Sequence, residues 1–440
     1  MKIFNLISFE FIHFIKNKSK FITYLVFIIA CCYSIDNGFN LYNKHKLTID
    51  EINKDQQKEI DNIFKIFDQG YNHPPDQPWI DLSNPYWLLN YVPVYAIKHP
   101  SSLLPLGLGQ AEQYGFYKKI GNWSSTFDND MVEEIANPER LVNGNIDFAF
   151  LIIFLLPVLL IILTYNIKVL EQEYKFDKLV IVQFGSVYKW VFFRLLFYVI
   201  LLILTTSIFI FGVSYVSGGI IDNLNATISL VKISCLYILF FSLIFYFILI
   251  KSNTVTSSAF KMICIWLIFC VIIPAAVHQF ASIKYPVNYM TEFLDVNRKE
   301  AYEIFELPVD SLYDRLVEIH PNLHNTKHGL SDEINNTIIS NTVSSLINQM
   351  NKNVINKIES DCQRKNHLIE STYLFNPVSF IQNKWNYFTN TDFYSYQLYR
   401  AQVQQLIDQK LDLLTEECWE EKEVNKVIYL KYLFDFNISF

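Results

Sequence analysis

The sequence predicts an all-α polytopic membrane protein with five transmembrane helices and two large extracytoplasmic insertions, the second mainly α-helical. Three observations predict it. Hydrophobic residues make up 51% of the 440, and they are gathered into long runs rather than spread along the chain. Those runs carry almost no charge, and one of about 20 residues is enough to cross a bilayer as a helix. The polar remainder falls into two blocks far too long to be loops.

Residues 1–20 form a cytoplasmic interfacial helix in this reading. Phe4, Ile7, Phe11, Phe14 and Ile15 share one helical face, and Lys16, Lys18 and Lys20 follow, as suits a helix lying in the membrane surface. The first transmembrane segment is 21–35, a retained anchor with no small-residue cleavage site after it. Residues 36–146 make extracytoplasmic domain 1, punctuated by seven prolines between Pro74 and Pro105, with helical spacing over Asp50–Phe67. The second span is 147–165, followed by a charged cytoplasmic segment at 166–189. Further spans are 190–213, 233–250 and 259–280. Residues 281–440 form extracytoplasmic domain 2, where Val343, Leu346, Ile347, Met350, Val354 and Ile358 keep helical spacing, as do Leu398, Val403, Leu406, Ile407, Leu411 and Leu414. The closing stretch VIYLKYLFDFNISF is too short and too charged to cross by itself. It is read either as the last element of this domain or as the stub of a further span.

The distribution of lysine and arginine orients these segments. Lys16, Lys18 and Lys20 put the N-terminus in the cytoplasm. Lys168, Lys175, Lys178 and Lys189 put 166–189 on the same side, and Lys251 and Lys261 do so for the turn before the fifth span. The connection 214–229 has no Lys or Arg and lies outside. Lys232 is a mild exception.

The formal net charge of −7 argues against a nucleic-acid partner. Of the seven cysteines, five lie in apolar runs. Cys362 and Cys418 lie in polar segments, where they pair only in an oxidising compartment, and free thiols are the favoured reading. The chain has no P-loop, HExxH, GxSxG or CxxC pattern. Gly107, Gly109 and Gly115 have the wrong spacing for a dinucleotide fingerprint and follow a proline-rich stretch instead of a strand. His320, His324 and His328 would align on one helix, but Pro321 and Gly329 point to a solvated loop without metal. Arg194 and His278 sit close enough to span ends to reach an interface, so a buried ion relay is not expected. Pro157 and Pro274 are expected to kink their spans. No catalytic, cofactor-binding or metal-ligating set is predicted.

Three stretches carry a resemblance: NPERLVNGNIDFAF (137–150), LLPVLLIILTYN (155–166) with EQEY (171–174), and FNPVSFIQNKWNYFTNTDFYSY (375–396). Together with the order of segments they resemble bacterial type-2 ABC transporter permeases, in the subgroup with a domain of unknown function between the first two transmembrane helices. Asn137, Pro138, Arg140, Gly144, Asp147, Pro157, Pro377 and Asp392 are the positions that match. Lys175 and Phe176 stand where the family has Gly-Thr, Asn390 stands where glycine is common, and the family's sixth span is missing.

The resemblance implies a non-catalytic permease subunit of an exporter, in a bacterial cytoplasmic membrane. ATP would be bound by a separate ABC ATPase subunit, and the permease would be a homodimer or be paired with a second permease within membrane lipid. It also implies that 166–189 docks on the ATPase through Glu171, Glu173, Tyr174, Leu179, Phe184 and Ser186. The alternative is a non-transporting structural or sensory membrane protein whose external domains bind an envelope partner.

Overall fold

The computed structural model describes residues 3–127, 146–168, 176, 182, 185–287, 295–331 and 333–438. The chain starts with α1 (Ile3–Lys16) and, after a break at Asn17, continues as α2 (Lys18–Asp68). The side chain of Asn17 accepts from the amide of Lys20 and so caps α2. The hydropathy boundary at residue 35 is not a structural break. Nothing in 36–49 stops a helix, so the first span and the predicted Asp50–Phe67 helix are one element of 51 residues, about 75 Å long. Hydropathy marks where the surroundings of a helix change, and the helix itself runs on.

After α3 (Pro85–Asn90) comes a hairpin of β1 (Val94–Ile97) and β2 (Tyr117–Ile120), antiparallel with Val94 opposite Ile120. Between its strands lie the 3₁₀ turns Leu104–Leu106 and Gly109–Glu112. The apolar helices follow: α4 (Phe148–Thr164), α5 (Val187–Val216), α6 (Leu224–Lys251) and α7 (Val255–Lys284). Helices α2, α5, α6 and α7 are each long and apolar enough to cross a membrane, and α4 is a shorter apolar helix. Helices α5 and α7 extend the sequence-derived runs by a few residues at each end, α6 starts nine residues earlier than its run, α2 continues far past residue 35, and α4 loses one residue at each end. The rest is helical: α8 (Asp295–Phe305), α9 (Val309–Ile319), α10 (Asn336–Ser371), α11 (Pro377–Thr389), α12 (Phe393–Trp419) and α13 (Lys426–Asp435).

Both predicted kinks have a structural counterpart. Helix α4 carries a π segment at Leu151–Leu155, just before Pro157, and α7 carries one at Ile268–Ile272, just before Pro274. Proline has no N–H, so the carbonyl four residues earlier loses its usual donor. For Pro157 that carbonyl is Ile153, and the hydroxyl of Tyr237 on α6 donates to it at 2.5 Å. Next to it, Trp266 Nε1 on α7 donates to the Phe154 carbonyl at 2.9 Å. Neighbouring helices thus repair the backbone that Pro157 breaks.

Two large cores organise the molecule. One joins α4, α5 and α6 with the first part of α2, through residues such as Phe27, Cys31, Leu160, Leu202 and Phe241. The other takes Ile60, Ile63, Leu88 and Val94 from the first polar block and Leu316, Ile339, Val403, Ile407 and Trp419 from the second. The two blocks, expected as separate insertions, therefore share one hydrophobic interior. Tyr429, Tyr432 and Leu433 of α13 are buried there too, which decides for the first reading of the closing stretch. Two expectations within the second block need correcting. Leu398 is exposed on α12, because the helix buries the stripe through Val403, Ile407, Leu411 and Leu414 instead. Helix α11 packs on the apolar bundle through Val378, Ile381 and Trp385 and not on the second core.

Candidate functional site

The end of the bundle that carries α1 holds a buried set of charges. Glu10 lies on α1 between Phe9 and Phe11 and is 0% exposed. Arg194 of α5 donates to it through Nε at 2.6 Å and Nη2 at 3.2 Å, a two-pronged contact. Arg194 Nη1 also donates to the Ile167 carbonyl, just past α4, at 2.7 Å, and its guanidinium lies over the Trp190 ring. The Tyr198 hydroxyl donates to Glu10 at 2.9 Å. Lys20, at the start of α2, sits over the Tyr198 ring and donates to the Leu163 carbonyl at 2.5 Å. Glu10 thus meets Arg194 and the Tyr198 hydroxyl directly, with His13 Nδ1 3.8 Å away, while Lys20 lies over the Tyr198 ring.

This arrangement overturns one expectation: Arg194 does not reach an interface, since it is 4% exposed and held in a buried ion pair. On the predicted interfacial face of α1, Phe14 is buried, while Phe11 and Ile15 are exposed. Glu10 was missed, yet it had a signal. It is the first acidic residue in the chain, none follows before Asp36, and phenylalanines flank it. A lone carboxylate there must find a partner or stay in water.

The start of the charged segment 166–189 is tied to this cluster through the Ile167 carbonyl. Lys168 Nζ donates to the carbonyls of Ile250 and Ser252 at the end of α6. Ser186 is the residue before α5, in extended conformation and without a side-chain cap bond. Glu171, Glu173, Tyr174, Leu179 and Phe184 lie outside the described residues, as do Asn137, Pro138, Arg140 and Gly144.

At the opposite end, two of the remaining matched positions, Asp147 and Asp392, lie beside the turn at 106–109. Asp147 caps α4, accepting from Phe150 N at 2.6 Å, and also accepts from Leu108 N at 3.1 Å. Trp385 Nε1 donates to the Leu106 carbonyl at 2.8 Å, and Thr391 Oγ1 donates to that of Gly107 at 3.1 Å. Asp392 caps α12, and Pro377 opens α11. The Gly-Leu-Gly at 107–109 has a packing role here. A Cβ at Gly107 would meet Trp385 and one at Gly109 would meet Thr391, both under 3.0 Å. Asn390, where glycine was expected, has φ 59° and ends α11 in the left-handed region that asparagine tolerates. Lys98 donates to the Asn390 carbonyl at 2.9 Å, and burial lowers its pKa to about 8.

The three histidines are not one site. His320 pairs with Ser345 at 2.7 Å, His324 lies in the 3₁₀ turn Pro321–Asn325, and His328 is buried against Trp419. His328 therefore corrects the expectation of a solvated loop. No cluster of three or more metal-ligating side chains occurs among the described residues. None of the seven cysteines is in a disulfide. Burial pushes the Cys418 thiol up to about 12, which makes it unreactive.

The fold defines a class: a predominantly helical chain with four helices suited to crossing a membrane and a helical body joined to one end of the bundle. No family model, curated protein or solved structure matches the chain.

Proposed function

We propose that the chain is the transmembrane subunit of an ATP-driven exporter, with five spans, a cytoplasmic N-terminus and an external helical body. It takes its energy from a separate ATPase docked on 166–189. The observation that carries this reading is the bracing around that segment. Lys168 ties its start to the end of α6, while Arg194, beyond its end, is tied to Glu10 and to the Ile167 carbonyl. A push on the connector is thereby shared among α1, α2, α4, α5 and α6. Helix α2 then leads from Lys20 in the cluster to Ile60, Ile63 and Ile66 in the external core.

The same continuous helix also suits a sensor that carries a signal from the external body to the opposite membrane face, and this is the second reading. Purification from the native membrane in detergent, with mass spectrometry of the bound chains, separates the two. A P-loop ATPase that is recovered with the wild type and lost with Glu171→Lys/Glu173→Lys supports the exporter. Recovery of envelope proteins without an ATPase supports the sensor.

A further inference from the structure

Helices α10 and α11 form a hairpin through the turn at 372–376. Helix α10 packs along the last part of α7, and α11 packs on α6 and on the π segments of α4 and α7. Between this hairpin, α7 and the start of α12 lies a cavity of about 470 Å³. His278 of α7 lines it, six residues before the helix ends at Lys284, or about 9 Å along the axis. If α7 crosses a membrane, the cavity lies at the level of the lipid headgroups.

Its charges are unevenly satisfied. Glu370 accepts from Tyr394 Oη at 3.0 Å and Asn366 Nδ2 at 3.4 Å, and Asp392 is occupied as a helix cap. Arg400 is held by Glu359. Lys365 and Lys384 also line the cavity, and neither has a carboxylate within ion-pair distance among the described residues. Two ammonium groups outside any ion pair, that of Lys384 lying over the Tyr387 ring, call for an anion.

The surroundings are apolar. Leu374, next to the lining residue Tyr373, is 97% exposed, and Phe375, Phe280 and Ile283 are exposed as well. Such side chains at a hairpin tip and on a membrane helix suit acyl chains and not water. We infer that this cavity binds the headgroup of an anionic phospholipid. Lys365 and Lys384 hold the phosphodiester, and the chains lie along Leu374 and Phe375. The inference depends on α7 being in a membrane and not on the ATP-driven reading.

Native mass spectrometry of the full chain in detergent tests it, with equal amounts of phosphatidylglycerol and phosphatidylcholine added. The expected result is preferential retention of phosphatidylglycerol, weakened at least tenfold in Lys365→Gln/Lys384→Gln and kept in the double arginine variant. Neither lysine is in an ion pair, so the melting temperature should hold. Equal retention by the wild type and the double glutamine variant overturns the proposal, as does equal retention of phosphatidylcholine. Glycerol 1-phosphate binding as tightly as the lipid overturns the membrane lipid as the source of the ligand.

Discussion

Arg194 and Glu10 meet at 2.6 Å across 184 positions of sequence, with both side chains sealed from solvent. Their pairing fixes α1 to α5 at the mouth of the charged connector. Removing one partner of such a pair costs roughly 3–5 kcal/mol, because the other charge is left buried and uncompensated. The two single variants should differ. Glu10→Gln leaves Arg194 and Lys20 as two buried cations, whereas Arg194→Met leaves Glu10 with Tyr198 and with Lys20 beyond it. Thermal melts in detergent should rank Glu10→Gln below Arg194→Met, with the double variant above Glu10→Gln. The reverse order would remove Lys20 from the cluster's electrostatics.

Tyr237→Phe deletes one hydroxyl, the closer of the two donors that replace the missing amide of Pro157 at the Ile153 carbonyl, the other being Cys270 Sγ at 4.0 Å. An unsatisfied buried acceptor costs about 1–3 kcal/mol. The melting temperature should fall in Tyr237→Phe and recover when Pro157→Ala is added, since alanine restores an N–H. A double variant no more stable than the single one would rule out the repair.

Gly38→Ala tests a close approach. Glycine to alanine in a helix interior usually stabilises by about 1 kcal/mol. Gly38 lies inside α2, and a Cβ there would come within 2.5 Å of the Pro105 carbonyl oxygen. Because backbone and not a flexible side chain blocks the space, the sign should invert, and Gly38→Ala should melt lower than the wild type. A higher melting temperature would mean that the Leu104–Leu106 turn can move away at little cost.

Stability should rise with pH on two limbs. Lys410 is fully buried and donates to the Ile120 and Val92 carbonyls, and burial lowers its pKa to about 7. Between about 7 and the unfolded value of 10.5, the unfolded chain holds a proton that the folded chain lacks. Stability therefore climbs by up to about 1.4 kcal/mol per pH unit in that window. His45, stacked on Phe116, is lowered to about 4 by burial, so it adds a similar limb between about 4 and 6.5. Denaturant titrations of the full chain should show both, with Lys410→Met flattening the upper and His45→Gln the lower. A variant that keeps its limb would remove that residue as the cause.

Much of the candidate site was hidden because its members are distant in sequence. Arg194 was visible as a charge in an apolar run, but its depth was not, since a residue near a span end can equally extend toward water. Its partner sits in α1, where helical periodicity drew attention to Ile7, Phe11 and Phe14 and away from Glu10. The sequence marks Asn390 only as standing where the resembled family has glycine, and its left-handed conformation at the end of α11 is shown by the structure.

By itself the sequence determined the helical character of the chain, the places of the apolar segments, and the irregular helix geometry just before Pro157 and Pro274. These follow from local rules: backbone groups in an apolar medium must be satisfied within the helix, and proline cannot donate. The tertiary structure decided which elements share a core, that α2 continues past residue 35, that α11 belongs with the bundle, and that Glu10 pairs with Arg194. Those outcomes depend on contacts between residues tens to hundreds of positions apart, and periodicity says which face of a helix is apolar without saying what will cover it.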